Sequence, residues 1–179
     1  MLERRSALAS AKPYVSSTLK IAERPGFTLT QVAGLSPDFE ARLTAVVGTL
    51  LETVAKAQID GARTIFRIGP AQFWIIGPET DDAASRLQGQ CAVTPLTSSR
   101  VRIALEGAPA REVLSRLMPV DLHPSVFTPG SVALTGIHHT PVTVHCTGED
   151  AFDVYVMRTF AVTVWDAITD AAKVFAEHR

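Results

Sequence analysis

Cysteine is scarce in this sequence, and its spacing excludes two common ways of stabilising a small protein. The chain has two cysteines among 179 residues, Cys91 and Cys146, and neither belongs to a Cys-x-x-Cys pair. A structural zinc site or a disulfide framework is therefore not expected. Two isolated thiols are typical of a reducing compartment, so we expect a cytoplasmic protein.

An excess of charge of either sign is also lacking. The 17 lysines and arginines nearly balance the 18 aspartates and glutamates, which gives a net charge of −1. A general nucleic-acid-binding protein needs a basic excess to neutralise phosphates. We therefore expect no nucleic-acid partner.

Long apolar runs are missing too. The longest segment without Lys, Arg, Asp or Glu is residues 122–148, and Pro124, Pro129 and Pro141 interrupt it. A membrane-spanning helix needs about 20 consecutive apolar residues. The N-terminus shows no apolar run of signal-peptide length. We expect neither a membrane partner nor a leader.

The motifs that usually carry catalysis are absent from this sequence. No Gly-x-Gly-x-x-Gly follows a predicted strand, and neither a Walker loop nor a Gly-x-Ser-x-Gly elbow occurs. The acidic pairs at residues 81–82 and 149–150 are explained by helix capping and solvation. We predict no catalytic, cofactor-binding or metal-binding residue in this chain, and interpret it as a binding or assembly unit.

Three histidines offer an alternative, a metal-dependent enzyme. His138 and His139 lie between two predicted strands, and His145 alternates to the face opposite Val144 and Cys146. Neighbouring residues of a strand point to opposite faces, so adjacent histidines share a metal only in a turn. We favour solvated turn histidines, with His145 directed toward solvent or a partner.

Composition and patterning predict an α+β protein. Hydrophobic residues make up 46% of the chain and charged residues 20%, as in ordinary globular domains. We predict an extended N-terminal arm over residues 1–26, which would contact a partner, followed by a single compact domain over residues 27–179. That domain would contain two ferredoxin-like halves, about 27–97 and 98–179, with antiparallel sheets and helices on one face.

The first half shows alternating and helical periods in ferredoxin-like order. A helix is predicted from an N-cap at Ser36 through Val54, with Gly48 tolerated inside it, and a short second helix from an N-cap at Thr80. Strands are predicted at residues 27–32, 64–68, 72–76 and 91–95.

The second half repeats part of this pattern. Strands are predicted at residues 101–105, 131–137, 141–146 and 152–157, with a helix after Pro109 and a last helix near Thr159. The last helix carries an apolar stripe that begins at Phe160. A strand is followed by glycine, a turn and a helix near Gly34 and again near Gly107, which hints at a duplicated unit.

Residues 119–130 form the most individual segment of the sequence. It is a loop of about twelve residues, long for a compact domain, and three prolines stiffen it. His123 and Phe127 could be buried, and Asp121 could accept backbone N–H bonds. We favour an intramolecular brace, and the alternative is a rigid contact for a partner subunit.

Several segments in a fixed order carry a family resemblance. They are GAPAREVL at residues 107–114, DLHP at 121–124, FTPG at 127–130 and RTFA at 158–161, preceded by IGPAQFWII at 68–76. With Thr159 in a serine position and a divergent tryptophan–glycine–proline segment, the chain resembles the gamma subunit of heterotetrameric sarcosine oxidase. Arg158 joins Asp121, His123 and Phe127 as a partner-interface or structural candidate.

The resemblance implies a non-catalytic subunit of a four-chain oxidoreductase that oxidatively demethylates sarcosine or a related N-methyl amino acid. The implied partners are alpha, beta and delta subunits, and these would hold the FAD, FMN, NAD and tetrahydrofolate. The family's fold resembles that of folate-binding aminomethyltransferases, in agreement with two ferredoxin-like halves. The alternative function is therefore a free-standing folate-binding module.

Overall fold

The computed structural model describes residues 5–34, 36–48, 50 and 53–175. Within them the chain divides into two units, the first formed by residues 5–25 and 99–175 and the second by residues 26–98. In chain order the elements are β1 (Tyr14–Val15), β2 (Lys20–Glu23), β3 (Phe27–Ala33), α1 (Phe39–Val47), β4 (Ala57–Asp60), β5 (Arg63–Gly69), β6 (Gln72–Pro78), α2 (Ala83–Leu87), β7 (Ala92–Pro95), β8 (Arg100–Glu106), α3 (Ala110–Ser115), β9 (Val132–Ile137), β10 (Thr140–Gly148), β11 (Ala151–Met157) and α4 (Ala161–Lys173).

The second unit contains a ferredoxin-like sheet with one added strand. Its strands lie in the order β4-β5-β6-β3-β7, and all neighbours are antiparallel. The order β7-β3-β6-β5 is that of a ferredoxin-like fold, with α1 and α2 as the two connecting helices. The predicted ferredoxin-like half is confirmed, and β4 adds a strand at the edge that the sequence pattern had not indicated.

The first unit has the same strand order, but its fourth strand comes from the N-terminus. Its sheet runs β1-β2-β8-β11-β10-β9, and β2 lies where the chain after α4 would return in an ordinary ferredoxin-like fold. Leu8, Leu19 and Ile21 are buried in the core of this unit. The structure therefore differs from the predicted arm, because residues 5–25 complete a sheet instead of extending away from it. Residues 1–4 of that predicted arm lie outside the described residues.

Equivalent strands of the two sheets are paired in the same register. Phe66 faces Trp74 in the second unit, and His145 faces Asp153 in the first. Both hairpins carry a register irregularity just before their turn, which places Gly69 opposite Gln72 and Gly148 opposite Ala151. The hint of duplication is thus supported by the pairing of the strands.

Each sheet packs its helices against one face through apolar side chains. The core of the second unit includes Val32 and Phe73 from the sheet and Phe39 and Leu43 from α1. The core of the first unit joins alternate residues of the sheet to α3 and α4, including Trp165 and Ile168. These helix residues recur at three- and four-residue spacing, which is the pattern that predicted the helices.

Helix α1 is shorter than predicted. It ends at Val47, because Gly48 adopts φ of +75° and leaves the helical conformation. Glycine accepts this conformation without a Cβ clash, so it often terminates helices. Val54 is exposed, and Leu51, which was predicted to continue the apolar stripe, lies outside the described residues. The N-terminal boundary differs too, since Asp38 and not Ser36 precedes the first helical residue.

Two further helix starts differ from prediction. Helix α2 follows Asp82, and the Asp81 side chain accepts the Ala83 N–H at 2.7 Å, so Thr80 is not the cap. A 3-10 turn, Arg158–Phe160, precedes α4. Phe160, with which the predicted apolar stripe begins, is exposed and does not belong to the buried face of the helix. In the described part of the chain, no helix has the length and apolar character needed to cross a membrane.

Candidate functional site: a braced loop and a buried polar cluster

The loop at residues 118–130 is held by one arginine. Arg111 on α3 donates from Nη1 to the carbonyl oxygens of Leu122 and Phe127, the latter at 3.0 Å, and from Nη2 to Glu149 O at 2.7 Å. Its guanidinium carbon also lies 4.9 Å from the centroid of the Phe152 ring. One fork of N–H donors thus joins two points within the loop, Leu122 and Phe127, to the β10–β11 turn.

A second set of hydrogen bonds shapes the interior of the loop. Asp121 Oδ1 accepts the backbone N–H of His123 at 2.9 Å, as predicted for a residue that holds the loop's conformation. The carbonyl of His123 accepts hydrogen bonds from the N–H groups of Val126 and Phe127. The ring Nδ1 of His123 lies 2.7 Å from Ser125 Oγ. Hydrogen bonds between neighbouring residues therefore shape the interior of the loop.

The apolar side chains of the loop divide between core and surface. Phe127 is 6% exposed and its ring stacks on Phe152, with centroids 6.5 Å apart. Leu122 is also buried, whereas Val126 is 58% exposed. These contacts favour the intramolecular brace for Phe127, and leave Val126 as the apolar group that the loop presents outward.

Arg158 lies apart from this loop, at the start of the 3-10 turn. Its side chain donates to the carbonyl of Arg5, and its backbone N–H donates to Ser99 O at 2.9 Å. Arg158 therefore links the N-terminal segment of the first unit to the residues that precede α4. The structure brings Asp121, His123 and Phe127 together and places Arg158 elsewhere.

Arg111 is the residue of this site that sequence reasoning missed. It was read only as one letter of the segment GAPAREVL, although it holds the loop that drew attention. Its position in the helix could have identified it from the sequence. It is the second residue of a helix, where the helix dipole disfavours a cation, so a positive charge at this position indicates that the side chain binds another group.

The histidines do not form the metal site that was considered as an alternative. His138 and His139 occupy the β9–β10 turn with positive φ values, and both are exposed. His145 was predicted to face solvent or a partner. It is 6% exposed, so the first of these alternatives is wrong, and the second stays a prediction. It does lie opposite the core face, but that second face of β10 is buried as well, as Thr143 also shows. Among the described residues, no three His, Cys, Asp or Glu side chains are grouped to bind a metal ion.

A buried polar cluster on the second face of the first-unit sheet was not predicted. Asp153 is 3% exposed, with its Oδ1 lying 3.2 Å from Arg24 Nη1 and its Oδ2 4.0 Å from Arg102 Nη1. Asp153 Oδ1 is buried and has no hydrogen-bond partner, so its contact with Arg24 is an ion pair without hydrogen-bond geometry. Arg24 also pairs with Glu106. Two arginines and two carboxylates therefore converge on strands β2, β8 and β11.

Burial shifts the protonation equilibria of this cluster. Desolvation raises the pKa of Asp153 above its usual range, although the two arginines oppose that rise. Burial, with the Arg102 charge, lowers the pKa of His145 to about 4. Burial and the neighbouring Asp153 raise the pKa of Tyr155 to about 12. His145 and Tyr155 are thus neutral near pH 7, which agrees with their enclosure.

The sequence and the fold define the class of this protein. Residues 51–177 match the GCVT N-terminal domain family, and the chain belongs to that family. The sarcosine oxidase subunit gamma of Corynebacterium sp. (strain P-1) is 28% identical over 144 residues, which cover 76% of this chain and 70% of that protein. The predicted resemblance to sarcosine oxidase gamma subunits is confirmed.

Solved structures confirm the fold. A chain of the heterotetrameric sarcosine oxidase from Corynebacterium sp. U-96, in complex with pyrrole 2-carboxylate, superposes with a TM-score of 0.87 at 24% identity and 98% coverage of both chains. The glycine cleavage system aminomethyltransferase T from Bartonella henselae gives a TM-score of 0.64 at 16% identity, and the match covers 86% of this chain and 46% of that one.

Proposed function

We propose that this chain is the gamma-type subunit of a heterotetrameric, sarcosine-oxidase-like enzyme. The observation that carries the proposal is the sequence similarity to sarcosine oxidase gamma subunits over 144 residues. The solved chain of matching fold is also covered over 98% of its length, whereas the aminomethyltransferase is covered over 46%. The similarity is thus more extensive toward the subunit than toward the free-standing enzyme.

In this proposal the chain supports assembly and the chemistry lies in its partners. Alpha, beta and delta subunits would carry FAD, FMN, NAD and tetrahydrofolate, and the complex would oxidatively demethylate sarcosine or a related N-methyl amino acid. The loop held by Arg111 is consistent with a structural role, because Arg111 donates hydrogen bonds to three backbone carbonyls. Four residues would act in this role by maintaining the conformation of the surface that contacts the partners. They are Asp121, His123, Phe127 and Arg158.

Co-expression tests this function. The tagged chain would be produced together with the proteins of its neighbouring reading frames, and the co-purified material would be identified by mass spectrometry and visible absorbance. We expect a yellow complex with larger flavoprotein chains, and no flavin or amine oxidase activity in the chain purified alone. Stoichiometric flavin in the lone chain would contradict the assignment.

A second candidate function is a folate-binding module that acts alone. Membership of the GCVT N-terminal domain family favours it, as does the fold shared with an aminomethyltransferase. Titration of the lone chain with tetrahydrofolate, followed by calorimetry, distinguishes the two. Micromolar binding without partners would support the module, and no binding would leave the subunit function as the better account.

A further inference from the structure

An open groove lies at one edge of the second unit, beside the start of β7. It encloses about 460 Å³ between Gly34 and Ser36 after β3, the β5–β6 turn and the residues that lead into β7. Its lining is mainly apolar and includes Ala33, Gly34, Phe39, Ala71 and Cys91. Every lining residue belongs to the second unit.

The first unit has the same backbone arrangement, but there the position is filled. Gly34 donates its N–H to Ala71 O at 3.2 Å, and Gly107 donates its N–H to Asp150 O at 2.9 Å, so the two glycines are equivalent. A methyl group on Gly107 would lie 2.0 Å from the backbone oxygen of Thr18. The atoms nearest to a methyl on Gly34 all belong to Phe39. Thr18 and Leu19, which precede β2, thus cover Gly107. Gln90 and Cys91 precede β7 in the same way, but no atom of theirs lies as close to Gly34 as the Phe39 side chain, and both line the groove.

The adjoining sheet edges differ in the same way. Ala92 pairs with Ala33 as Lys20 pairs with Glu106, which makes β7 the equivalent of β2. The outer edge of β2 is covered by β1, which places Val15 opposite Lys20 and Tyr14 opposite Ile21. In the described part of the chain β7 is the last strand of its sheet and has no counterpart of β1.

The backbone of β7 is oriented to receive a short strand. Leu96 donates its N–H to Leu29 O at 2.7 Å, toward β3. Because these directions alternate along an antiparallel strand, the backbone groups of Val93 and Pro95 point outward. Pro95 has no N–H and limits pairing to the first residues of β7. That stretch is equivalent to the two residues of β2 that β1 covers.

We propose that an extended segment of a partner subunit pairs with β7 at Ala92 and Val93 and inserts an apolar side chain into the groove. The inference rests on the proposed function, which supplies the partner. The backbone hydrogen bonds would give affinity, and the apolar pocket would select an aliphatic or aromatic side chain. The first unit shows an edge pairing of this kind within one chain, because β1 covers the outer edge of β2.

Alkylation of Cys91 reports occupancy of the groove without any mutation. Cys91 lines the groove, and the other cysteine, Cys146, is 0% exposed and serves as an internal control. A neutral maleimide would be reacted with the lone chain and with the co-purified complex, and both thiols would be followed by peptide mass spectrometry. We expect Cys91 to react at least tenfold more slowly in the complex.

A pair of variants tests whether blocking the groove prevents assembly. Ala92→Arg places a charged side chain at the groove, and Thr94→Arg places the same side chain two residues further along the strand, outside the lining. Both positions are exposed. We expect Ala92→Arg to reduce co-purified partner at least tenfold with an unchanged melting temperature, and Thr94→Arg to retain it.

The outcomes separate this proposal from the function on which it rests. If a complex forms while Cys91 reacts at the lone-chain rate and Ala92→Arg still assembles, the groove proposal is overturned and the subunit function stands. If no complex forms, both are overturned. Protection of Cys91 that increases with the concentration of the lone chain would assign the groove to a second copy. Protection by tetrahydrofolate alone would assign it to a small ligand.

Discussion

The two units share a backbone register, and their sheets differ in the side chains that the second faces carry. In the second unit the paired positions of β5 and β6 hold Phe66 and Trp74, which are buried. The equivalent positions of β10 and β11 hold His145 and Asp153, which are buried as well. The two units thus have the same strand pairing, with apolar residues at these positions in one and polar residues in the other. Register depends on the backbone and turns, so it tolerates exchanges that conceal the repeat in the sequence.

A second difference concerns the arginine that lies over an equivalent phenylalanine ring in each unit. Phe73 and Phe152 are equivalent, each being the second residue of its strand, β6 or β11. Each ring lies beneath a guanidinium, that of Arg67 at 4.5 Å and that of Arg111 at 4.9 Å. Arg67 comes from a strand and forms a bidentate pair with Glu40 of α1. Arg111 comes from a helix and binds loop carbonyls. The same ring contact therefore supports an ion pair in one unit and a long loop in the other.

Gly107→Ala should have the largest effect, because it tests the close approach of Thr18 to this glycine, which has no equivalent at Gly34. Gly107 has φ of +130°, and an added methyl group would meet the Thr18 oxygen at 2.0 Å. Strain and overlap together should reduce the free energy of unfolding by about 4 kcal/mol. Urea unfolding measures the loss. Gly130→Ala is the control, because its φ is +83° with no atom within 4 Å, and it should lose about 1 kcal/mol. Equal losses would contradict the close approach of Thr18.

Arg111→Met should come next, since it removes the brace that the second unit lacks. Three carbonyl contacts and the stacking on Phe152 are lost, which should cost about 3 kcal/mol. Hydrogen exchange should show faster exchange of the Val126 and Phe127 amides. Arg116→Met is the matched control, because Arg116 stacks on Phe175 but does not contact the loop. Unchanged exchange in the loop would show that it is held by other contacts.

His145→Phe makes the first unit resemble the second at one position. His145 has a folded pKa of about 4 against 6.5 for an ordinary histidine, so the unfolded chain binds more protons between these values. Stability is therefore full above pH 6.5 and falls as the pH drops toward 4, by about 2 kcal/mol at about pH 4.5. The raised pKa of Asp153 acts in the opposite sense, and it remains in both proteins.

The measurement for this prediction is the slope of the free energy of unfolding against pH. The phenylalanine variant should lose the acid-dependent decrease that the parent shows between pH 6.5 and about 4.5. Thr143→Val, at a buried residue that does not titrate on the same strand, should keep the parent's slope. An identical slope in His145→Phe would show that another group causes the acid sensitivity.

Glu40→Gln should have the smallest effect. It weakens the bidentate pair with Arg67, whose hydrogen bonds lower the pKa of Glu40, but the Glu40 side chain is 46% exposed. Exposed pairs contribute little after solvent screening, so the expected loss is about 0.5 kcal/mol, measured by urea unfolding. Arg67 should remain over Phe73. A loss as large as that of Arg111→Met would show that the two arginines are equally important in their units.

The sequence predicted the strands and helices well wherever apolar periodicity was clear. The alternation at residues 101–105 and 152–157 became β8 and β11, and the ferredoxin-like order followed from it. Strand β2 could not be identified this way, because it is four residues long and its place in the sheet depends on distant pairing with β8. Helix α1 was overextended because helical spacing continues past Gly48, whereas its backbone conformation does not.

The candidate site was predicted only in part. Asp121 was expected to accept a backbone N–H, and it does, because such turns depend on neighbouring residues alone. The partner-contact role of the loop remains a prediction. The Arg24–Asp153–Arg102 cluster joins residues that are more than fifty positions apart, so only the register of three strands brings them together. The enclosure of His145 depends equally on tertiary structure, and alternation by itself predicted only the face on which it lies.

Native mass spectrometry of the tagged chain, co-expressed with the products of its neighbouring reading frames, tests the central claim most directly. The account predicts one assembly that contains this 19.2 kDa chain together with larger flavin-bearing chains. Masses that correspond only to the 19.2 kDa chain, alone or with a bound folate, would contradict the subunit function.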